Sequence, residues 1–411
     1  MRLTPEEEAM LRGDAGPALR RAMEIVVALG RIYGAEDLVA VAHAQVAGVS
    51  YKNLGQAGLE FLQQWAAEGA RVRVPTTLNP AGMDLAQWRA LGVSAEFARQ
   101  QGLVIDAYLA MGIAPTLTCA PYAVGHRPRR GEHLAWSESS AVSFANSLLG
   151  ARTNREGGPS ALAAALTGRT PRSGLHLDQA RRATHLVEVR CPLSSEADFG
   201  ALGYLVGRRV RNGVPYFRFL GPTPDLSLGP GSAGEELLRG LGAALAASGA
   251  VALYHVEGVT PEAGEEGILP AAAERVTIAD LAEGYAALNS PLDSVDMVTI
   301  GCPHASLAQL AEIARQVAGQ RLRAALWVTT ARAIRDEAAA LGHVAAIEAA
   351  GGRVVADTCM VVAPVEELGL RALATNSAKA AFYAPSHSGV SARFGALAQC
   401  LDAARTGRWG G

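Results

Sequence analysis

Aromatic side chains are scarce in this sequence, 5 % of 411 residues, which leaves few flat platforms for stacking on nucleic-acid bases. Basic residues do not compensate. The 37 Lys and Arg face 39 Asp and Glu, a net charge of −2, so nothing attracts a polyphosphate backbone and no nucleic-acid partner is expected. Apolar runs long enough to cross a bilayer are missing, and no membrane role is expected. The opening Met-Arg-Leu-Thr-Pro-Glu-Glu-Glu is acidic and polar, unlike an export signal. Cysteines number five, an odd and scattered set (Cys119, Cys191, Cys302, Cys359 and Cys400). That set does not make a secreted disulfide framework, and it points to a reducing cytoplasm in which thiols can serve as metal ligands. G-x-S-x-G, H-E-x-x-H and G-x-x-x-x-G-K-[ST] are all absent, which removes the usual support for serine hydrolase, zincin and P-loop readings.

What is present is apolar material for a large core, 49 % of the residues, over a length that suits about two to four domains. Thr4-Pro5-Glu6-Glu7 reads as a helix start, and residues 4–34 as helical. Short apolar runs then alternate with amphipathic stretches. Strands are expected at 37–46, 71–75, 114–118, 185–190, 249–256, 295–300, 323–329, 353–356 and 380–383. Helices are expected at 54–68, 139–149, 161–167, 305–318 and 331–350. Such alternation places the chain in the α/β class with mostly parallel sheets. A hairpin-like stretch at 207–220 and a Gly/Pro-rich linker at 221–234 break the rhythm, and 291–411 reads as an open-sheet α/β unit. The expected division is 1–150, 151–290 and 291–411.

In open α/β sheets, ligands bind beyond the carboxyl ends of strands. Cys119 follows Ala-Pro-Thr-Leu-Thr, Cys302 follows Val-Thr-Ile-Gly, and Cys359 follows Val-Val-Ala-Asp-Thr, so each thiol stands where a strand opens into a loop. After Cys302 a helix starts on the capping box Ser306-x-x-Gln309, and a nearby helix N-terminus favours thiolate. Three converging thiolates suit an iron–sulfur cluster. The same spacing also suits small buried core residues, since no C-x-x-C pairs them. Cys191 ends a strand too and is a fourth candidate, whereas Cys400 lies inside a terminal helix.

Gly150-Ala-Arg-Thr-Asn-Arg-Glu-Gly-Gly158 concentrates charge after an apolar helix. Arg152 or Arg155 suits a bidentate clamp on a carboxylate, with Asn154 beside it. Glu156 suits either acid/base work or pairing with an arginine, and the whole stretch also reads as a solvated loop. Ser50-Tyr51-Lys52-Asn53 joins a strand to a helix capped by Asn53-x-x-Gln56 and offers an anion pocket or simple capping. Thr76-Thr77-Leu78-Asn79 is another strand end, and Asn376-Ser377-Ala378-Lys379 and Ser386-His387 put hydroxyls and a cation around a late strand. Lone histidines such as His43 and His387 are more often packed or exposed than catalytic.

Together, Val-Ser-Tyr-Lys-Asn-Leu-Gly (49–55), Thr-Leu-Asn-Pro-Ala-Gly-Met-Asp (77–84), Leu-Thr-Cys-Ala-Pro-Tyr (117–122), Gly-Ala-Arg-Thr-Asn-Arg-Glu-Gly-Gly (150–158), Asp198–Tyr204, Gly-Cys-Pro-His (301–304), Asp-Thr-Cys (357–359) and Thr-Asn-Ser-Ala-Lys-Ala (375–380) occur in consistent order over residues 1–400. The chain resembles the aconitase X family, in its separate large-subunit form. The resemblance implies an aconitase-like body of three α/β subdomains, and an iron–sulfur cluster, 2Fe-2S or 4Fe-4S, on Cys119, Cys302 and Cys359. It implies a hydro-lyase acting on a small hydroxy acid. The Ala/Arg/Gly-rich composition tilts the expectation toward cis-3-hydroxy-L-proline, giving 1-pyrroline-2-carboxylate, with 5-phosphomevalonate as the alternative. A non-catalytic α/β binding protein with buried cysteines is the reading of another class.

On this resemblance Arg152, Arg155, Asn154, Ser50, Tyr51, Lys52, Thr76, Asn79 and Ser377 are the expected substrate-binding residues. Lys379, Glu156 and His387 are the expected acid/base candidates. The family's swivel domain finds no room after the last expected helix, so a small swivel-domain subunit is the expected partner and source of the base.

Overall fold

The Thr4 hydroxyl accepts from the Glu7 amide and the Glu7 carboxylate accepts in return, so the first helix starts where the capping pattern puts it. In the computed structural model, which describes residues 1–410, the leading segment forms α1 (Pro5–Arg12) and α2 (Pro17–Ile32). The chain then runs through β1 (Leu38–Ala40), β2 (His43–Val46), α3 (Tyr51–Ala67), β3 (Thr76–Leu78), α4 (Ala95–Ala110), β4 (Leu134–Trp136), α5 (Ser139–Ser147), α6 (Gly158–Thr167) and β5 (Arg169–Pro171). β2 lies between β3 and β4, both parallel to it, while β1 pairs antiparallel with β5. Met23, Val26, Leu59, Leu62, Trp65, Val104, Tyr108, Leu162 and Leu166 form the core beneath this sheet. Because α6 packs on α2 and β5 pairs with β1, this unit continues past residue 150, the expected boundary.

The second unit holds β6 (His185–Val189), α7 (Glu196–Val210), β7 (Pro215–Phe219), α8 (Ala233–Gly249), β8 (His255–Val256), β9 (Glu274–Ile278) and α9 (Ala282–Ala287). Its four strands, ordered β8-β7-β6-β9, are parallel. The expected hairpin at 207–220 is therefore absent. Arg211 and Asn212, both at φ 38°, end α7 and send the chain into β7 alongside β6 rather than back against it. Residues 221–234 connect β7 to α8 inside this unit instead of linking domains.

The third unit follows as β10 (Met297–Ala305), α10 (Leu307–Val317), β11 (Ala325–Thr330), α11 (Arg332–Ala340), α12 (His343–Ala349), β12 (Arg353–Ala356), β13 (Ala372–Thr375), α13 (Ala378–Ser388), β14 (Ser391–Phe394) and α14 (Leu397–Thr406). All pairs are parallel and the order is β12-β11-β10-β13-β14. The order reverses between β10 and β13, and the crevice at such a switch point is where open sheets bind ligands. Residues 380–383, expected as a strand, lie in α13. A short apolar run fits either element, and here the Ser377 hydroxyl caps the Ala380 amide and starts a helix. Strands expected at 71–75 and 114–118 are also absent, although β3 follows the first directly and Ala114 makes one bridge to Thr77.

One large core joins the second unit to the third and to α5. It includes Phe199, Phe217 and Leu241 of the second, Trp327, Leu373 and Phe394 of the third, and Phe144 of α5. Buried Arg181 ties the first unit to the second, bonding Glu262 at 2.9 Å and the Asn146 carbonyl at 3.1 Å. No helix among the described residues is long and apolar enough to cross a membrane.

Candidate active site at the meeting of two sheets

The carboxyl ends of β3 and β4 carry Asn79 and Glu138. Asn79 donates from its amide nitrogen to a Glu138 carboxylate oxygen at 2.8 Å. Glu138 is the N-cap of α5 and also accepts from the Ser140 hydroxyl at 3.0 Å. Its main partner comes from the other sheet. The Lys379 ammonium, in the first turn of α13, donates to Glu138. Their side chains are only 8 % and 12 % exposed. Burial opposes both charges, yet each sustains the other. The Glu138 carboxyl is held down to about 2, against its burial, by Lys379 and by the hydrogen bonds it accepts. Lys379, against the same burial, is held above its ordinary value by Glu138 and by Cys302 and Cys119.

Cys302 rises from β10 just after Gly301, whose φ is +101°. A side chain there would collide with the Thr329 backbone, so glycine is needed for the kink that turns Cys302 out of the sheet. Cys359 follows β12, and Cys119 follows the irregular 114–118 segment. The structure brings these three expected thiols to one place. The Lys379 charge bears on all three, and Cys359 bears on both Cys119 and Cys302. Burial raises each thiol, that of Cys359 to about 12. Cys119 and Cys359 are buried and Cys302 is half-buried. Among the described residues no three His, Cys, Asp or Glu stand close enough to hold one metal ion. A cluster would spread its thiolate ligands over more than one iron, so it asks for something different from a single-ion site.

The donor set fits such a group. All three thiols are free, and two buried oxygens alongside, Asn79 Oδ1 and Thr358 Oγ1, have no partner within the chain. Cys191 lies in the large core of the second unit, and Cys400 lies in the third unit's core. Neither is among the thiols on which the Lys379 charge bears.

Several expected site residues lie elsewhere. Arg152 donates to Asp178 and, at 3.1 Å, to the His176 carbonyl. The Asn154 amide is bonded to the Ser173 carbonyl at 3.0 Å, and Glu156 accepts from Ser160 and Thr170. With Arg155, Asn154 and Glu156 line an open groove of about 680 Å³ against Ile25, Leu29 and Tyr33 of α2. Arg155 bridges to Trp136, which places this loop along the same sheet edge but one chain further out than Glu138. Arg152, half of the expected clamp, is thus occupied by local partners while Arg155 lines this groove, and the cation beside the thiols is Lys379. His387 sits exposed at the far end of α13, about 12 Å along the helix from Lys379 at 1.5 Å per residue.

Ser50 and Lys52 serve packing between units. The Ser50 hydroxyl donates to the Val362 carbonyl at 2.8 Å, and Lys52 donates to the Ala363 carbonyl at 3.2 Å and to Glu366 at 2.7 Å. They hold the loop that follows Cys359 rather than an open anion pocket. The Asn53/Gln56 cap is not used, since α3 already starts at Tyr51 and breaks at Gly55. Tyr51 stacks edge-on with Phe97, and the Thr76 hydroxyl bonds the Val74 carbonyl. Ser377 caps α13 and donates to the Cys302 carbonyl, so it ties α13 to β10 beside Cys302. His43 is a core residue that accepts from the Trp136 indole at 2.9 Å.

Sequence reasoning did not single out Glu138, nor the polar group behind Cys302. There Glu196 accepts from Gln309 at 3.1 Å and from Asn376 at 3.0 Å, close to Arg239. Burial pushes the Glu196 carboxyl up to about 7, with Arg239 opposing and Glu236 adding to the rise. A carboxyl raised above its unfolded value of 4.5 takes up a proton on folding. Its contribution is therefore fully present below about pH 4.5 and is lost as the pH rises through about 7. Glu196→Gln keeps an acceptor for both amides and removes the titration. Its Tm is expected to exceed that of the wild type near about pH 8 and to equal it near about pH 4, checked by thermal unfolding across that range.

Residues 1–179 match the first domain of aconitase X, 183–285 the second and 295–406 the third. The phosphomevalonate dehydratase large subunit of Methanothermobacter thermautotrophicus is 52 % identical over 94 % of this chain and 94 % of its own length. The cis-3-hydroxy-L-proline dehydratase of Pseudomonas aeruginosa is 40 % identical over 99 % of this chain and 70 % of its own length. The crystal structure of Thermococcus kodakaraensis aconitase X in its holo form superposes with a TM-score of 0.87 at 48 % identity, covering 97 % of this chain and 98 % of that one.

Proposed function

The chain belongs to the aconitase X family, and on that premise we propose that it is the large subunit of a cytoplasmic iron–sulfur hydro-lyase that dehydrates phosphomevalonate. The observation that carries the substrate is the order of likeness. The relatives named for phosphomevalonate reach 52 % identity, against 40 % and 35 % for two named for cis-3-hydroxy-L-proline. The compositional tilt toward hydroxyproline gives way, because Ala, Arg and Gly content reports base composition and not the chemistry of a cavity.

Cys119, Cys302 and Cys359 are the residues that would hold the cluster. When bound, it supplies a Lewis acid to the departing hydroxyl. The chain's own groups do the rest. Lys379, kept charged by Glu138, binds the substrate carboxylate as the cation beside the thiols. The unpartnered Asn79 and Thr358 oxygens accept from substrate hydroxyl or bound water. Ser377, through its bond to the Cys302 carbonyl, keeps α13 and β10 in register around Lys379.

The test is anaerobic co-expression with a candidate small subunit and assay of both hydroxy acids on one preparation. Phosphomevalonate is expected to lose water with a kcat/KM at least about a hundredfold above that of cis-3-hydroxy-L-proline, a separation that one unsatisfied buried charge provides. A preference for hydroxyproline would return the assignment to the alternative.

A further inference from the structure

We infer that His304 is the positioning residue that sets the mutual placement of Cys119, Cys302 and Cys359, and that it does so with its ring proton on Nε2. The inference rests on the reading of these thiols as one cofactor site. His304 is 2 % exposed and touches the segments that carry all three. It lies two residues after Cys302 on β10. Its backbone N–H donates to the Cys119 sulfur at 3.2 Å. Its Nδ1 lies 3.0 Å from the Thr118 hydroxyl, next to Cys119, and its Nε2 lies 3.0 Å from the Thr358 carbonyl, next to Cys359. The Arg239 guanidinium holds its carbonyl at 2.9 Å.

The tautomer follows from what each partner is able to do. The Thr358 carbonyl only accepts, so Nε2 carries the hydrogen. In the neutral ring Nδ1 is then the acceptor, so the Thr118 hydroxyl, which also accepts from the Ala120 amide at 3.1 Å, donates its hydrogen to Nδ1. With Nε2 donating and Nδ1 accepting, a neutral imidazole satisfies both contacts, and no ring nitrogen is left for proton transfer. One side chain therefore measures out the gap between two loops whose cysteines are 240 residues apart in sequence (359 − 119).

The experiment follows the reaction of each thiol with N-ethylmaleimide in the cluster-free full-length chain, read peptide by peptide, with Cys400 in a separate core as internal standard. His304→Phe keeps the ring shape and loses both side-chain bonds. Cys119 and Cys359 are expected to react about tenfold faster while Cys400 is unchanged, the size expected for loss of one buried hydrogen bond. Anaerobic iron and sulfide uptake is expected to fall with it. Two conservative variants divide the effect and serve if the Phe variant does not fold. His304→Gln offers an N–H where Nε2 stood and protects Cys359 alone. His304→Asn offers an oxygen where Nδ1 stood and protects Cys119 alone. Rates and iron uptake equal to wild type in all three variants would overturn the inference, as would a uniform rise that includes Cys400. Wild-type protein that takes up no iron would sink the cofactor-site reading but leave the thiol pattern to judge His304.

Discussion

Replacing Lys379 with Met is expected to lower turnover about a thousandfold, the scale of losing an oriented charge in a water-poor site. It is also expected to destabilise the chain by about 3–5 kcal/mol, the scale of breaking one side of a buried ion pair. The two losses have different origins and can be separated. The stability loss comes from stranding Glu138, whose side chain is 12 % exposed and whose charge depends on Lys379. Adding Glu138→Gln removes the stranded charge; its amide oxygen accepts from Asn79 and its NH2 donates to the Ser140 hydroxyl oxygen. The double variant should therefore recover most of the lost stability. Turnover should not recover, because the substrate carboxylate still has no cation. Thermal unfolding and kcat measured on the two variants check both halves. Wild-type turnover in Lys379→Met would remove this residue from the site.

The chain alone is expected to turn over at under about 1 % of the rate of its complex with the small subunit. Loss of water from a hydroxy acid needs a base as well as a Lewis acid, and a useful base has a pKa near the working pH. The groups that touch Lys379 or the thiols do not meet that demand, and Glu196, raised to about 7, stands behind Cys302 with its carboxylate bonded to Gln309 and Asn376. Glu138 is held down to about 2, and Lys379 keeps its proton. The His304 ring, lowered to about 4 by burial, has both nitrogens engaged. Glu156 and His387, the other candidates, stand away from the thiols. On the proposed function the base then comes from the small subunit, a partner that the large-subunit naming of the relatives implies. Titrating the small subunit into a fixed amount of this chain should raise activity until the two are equimolar. Full turnover without it would return the base to this chain.

Much of this arrangement was legible because its signals are local. The capping box Ser306/Gln309 forms as written, and the third unit alternates strand and helix as its apolar runs imply. Cys302 and Cys359 beside strand ends were visible for the same reason, since in a parallel sheet the carboxyl edge follows from chain order, whereas Cys119 follows a segment that forms no strand. What could not be read is which side chains meet across distance. Glu138 looks like an ordinary helix cap until Lys379, 241 residues later, closes on it. His304 sits in a recognisable Gly-Cys-Pro-His, yet its partners Thr118 and Thr358 lie 186 and 54 residues away. The Arg152–Glu156 stretch misled in the opposite direction. Its residue types suit a carboxylate clamp, but Asp178, Ser173 and Thr170 occupy Arg152, Asn154 and Glu156, Arg155 lines a groove against α2, and sequence spacing carries no record of that.

Iron and acid-labile sulfide per chain, measured together with the visible spectrum after anaerobic reconstitution, test the central claim most directly. The wild type is expected to bind both and turn brown. Cys119→Ser, Cys302→Ser and Cys359→Ser are each expected to lose most of the iron and colour, because each removes a thiolate ligand. Cys191→Ser and Cys400→Ser, whose thiols are not among those on which the Lys379 charge bears, should match the wild type. A wild-type spectrum from any of the first three variants, or loss of iron on replacing Cys191, would contradict the assignment of this cavity.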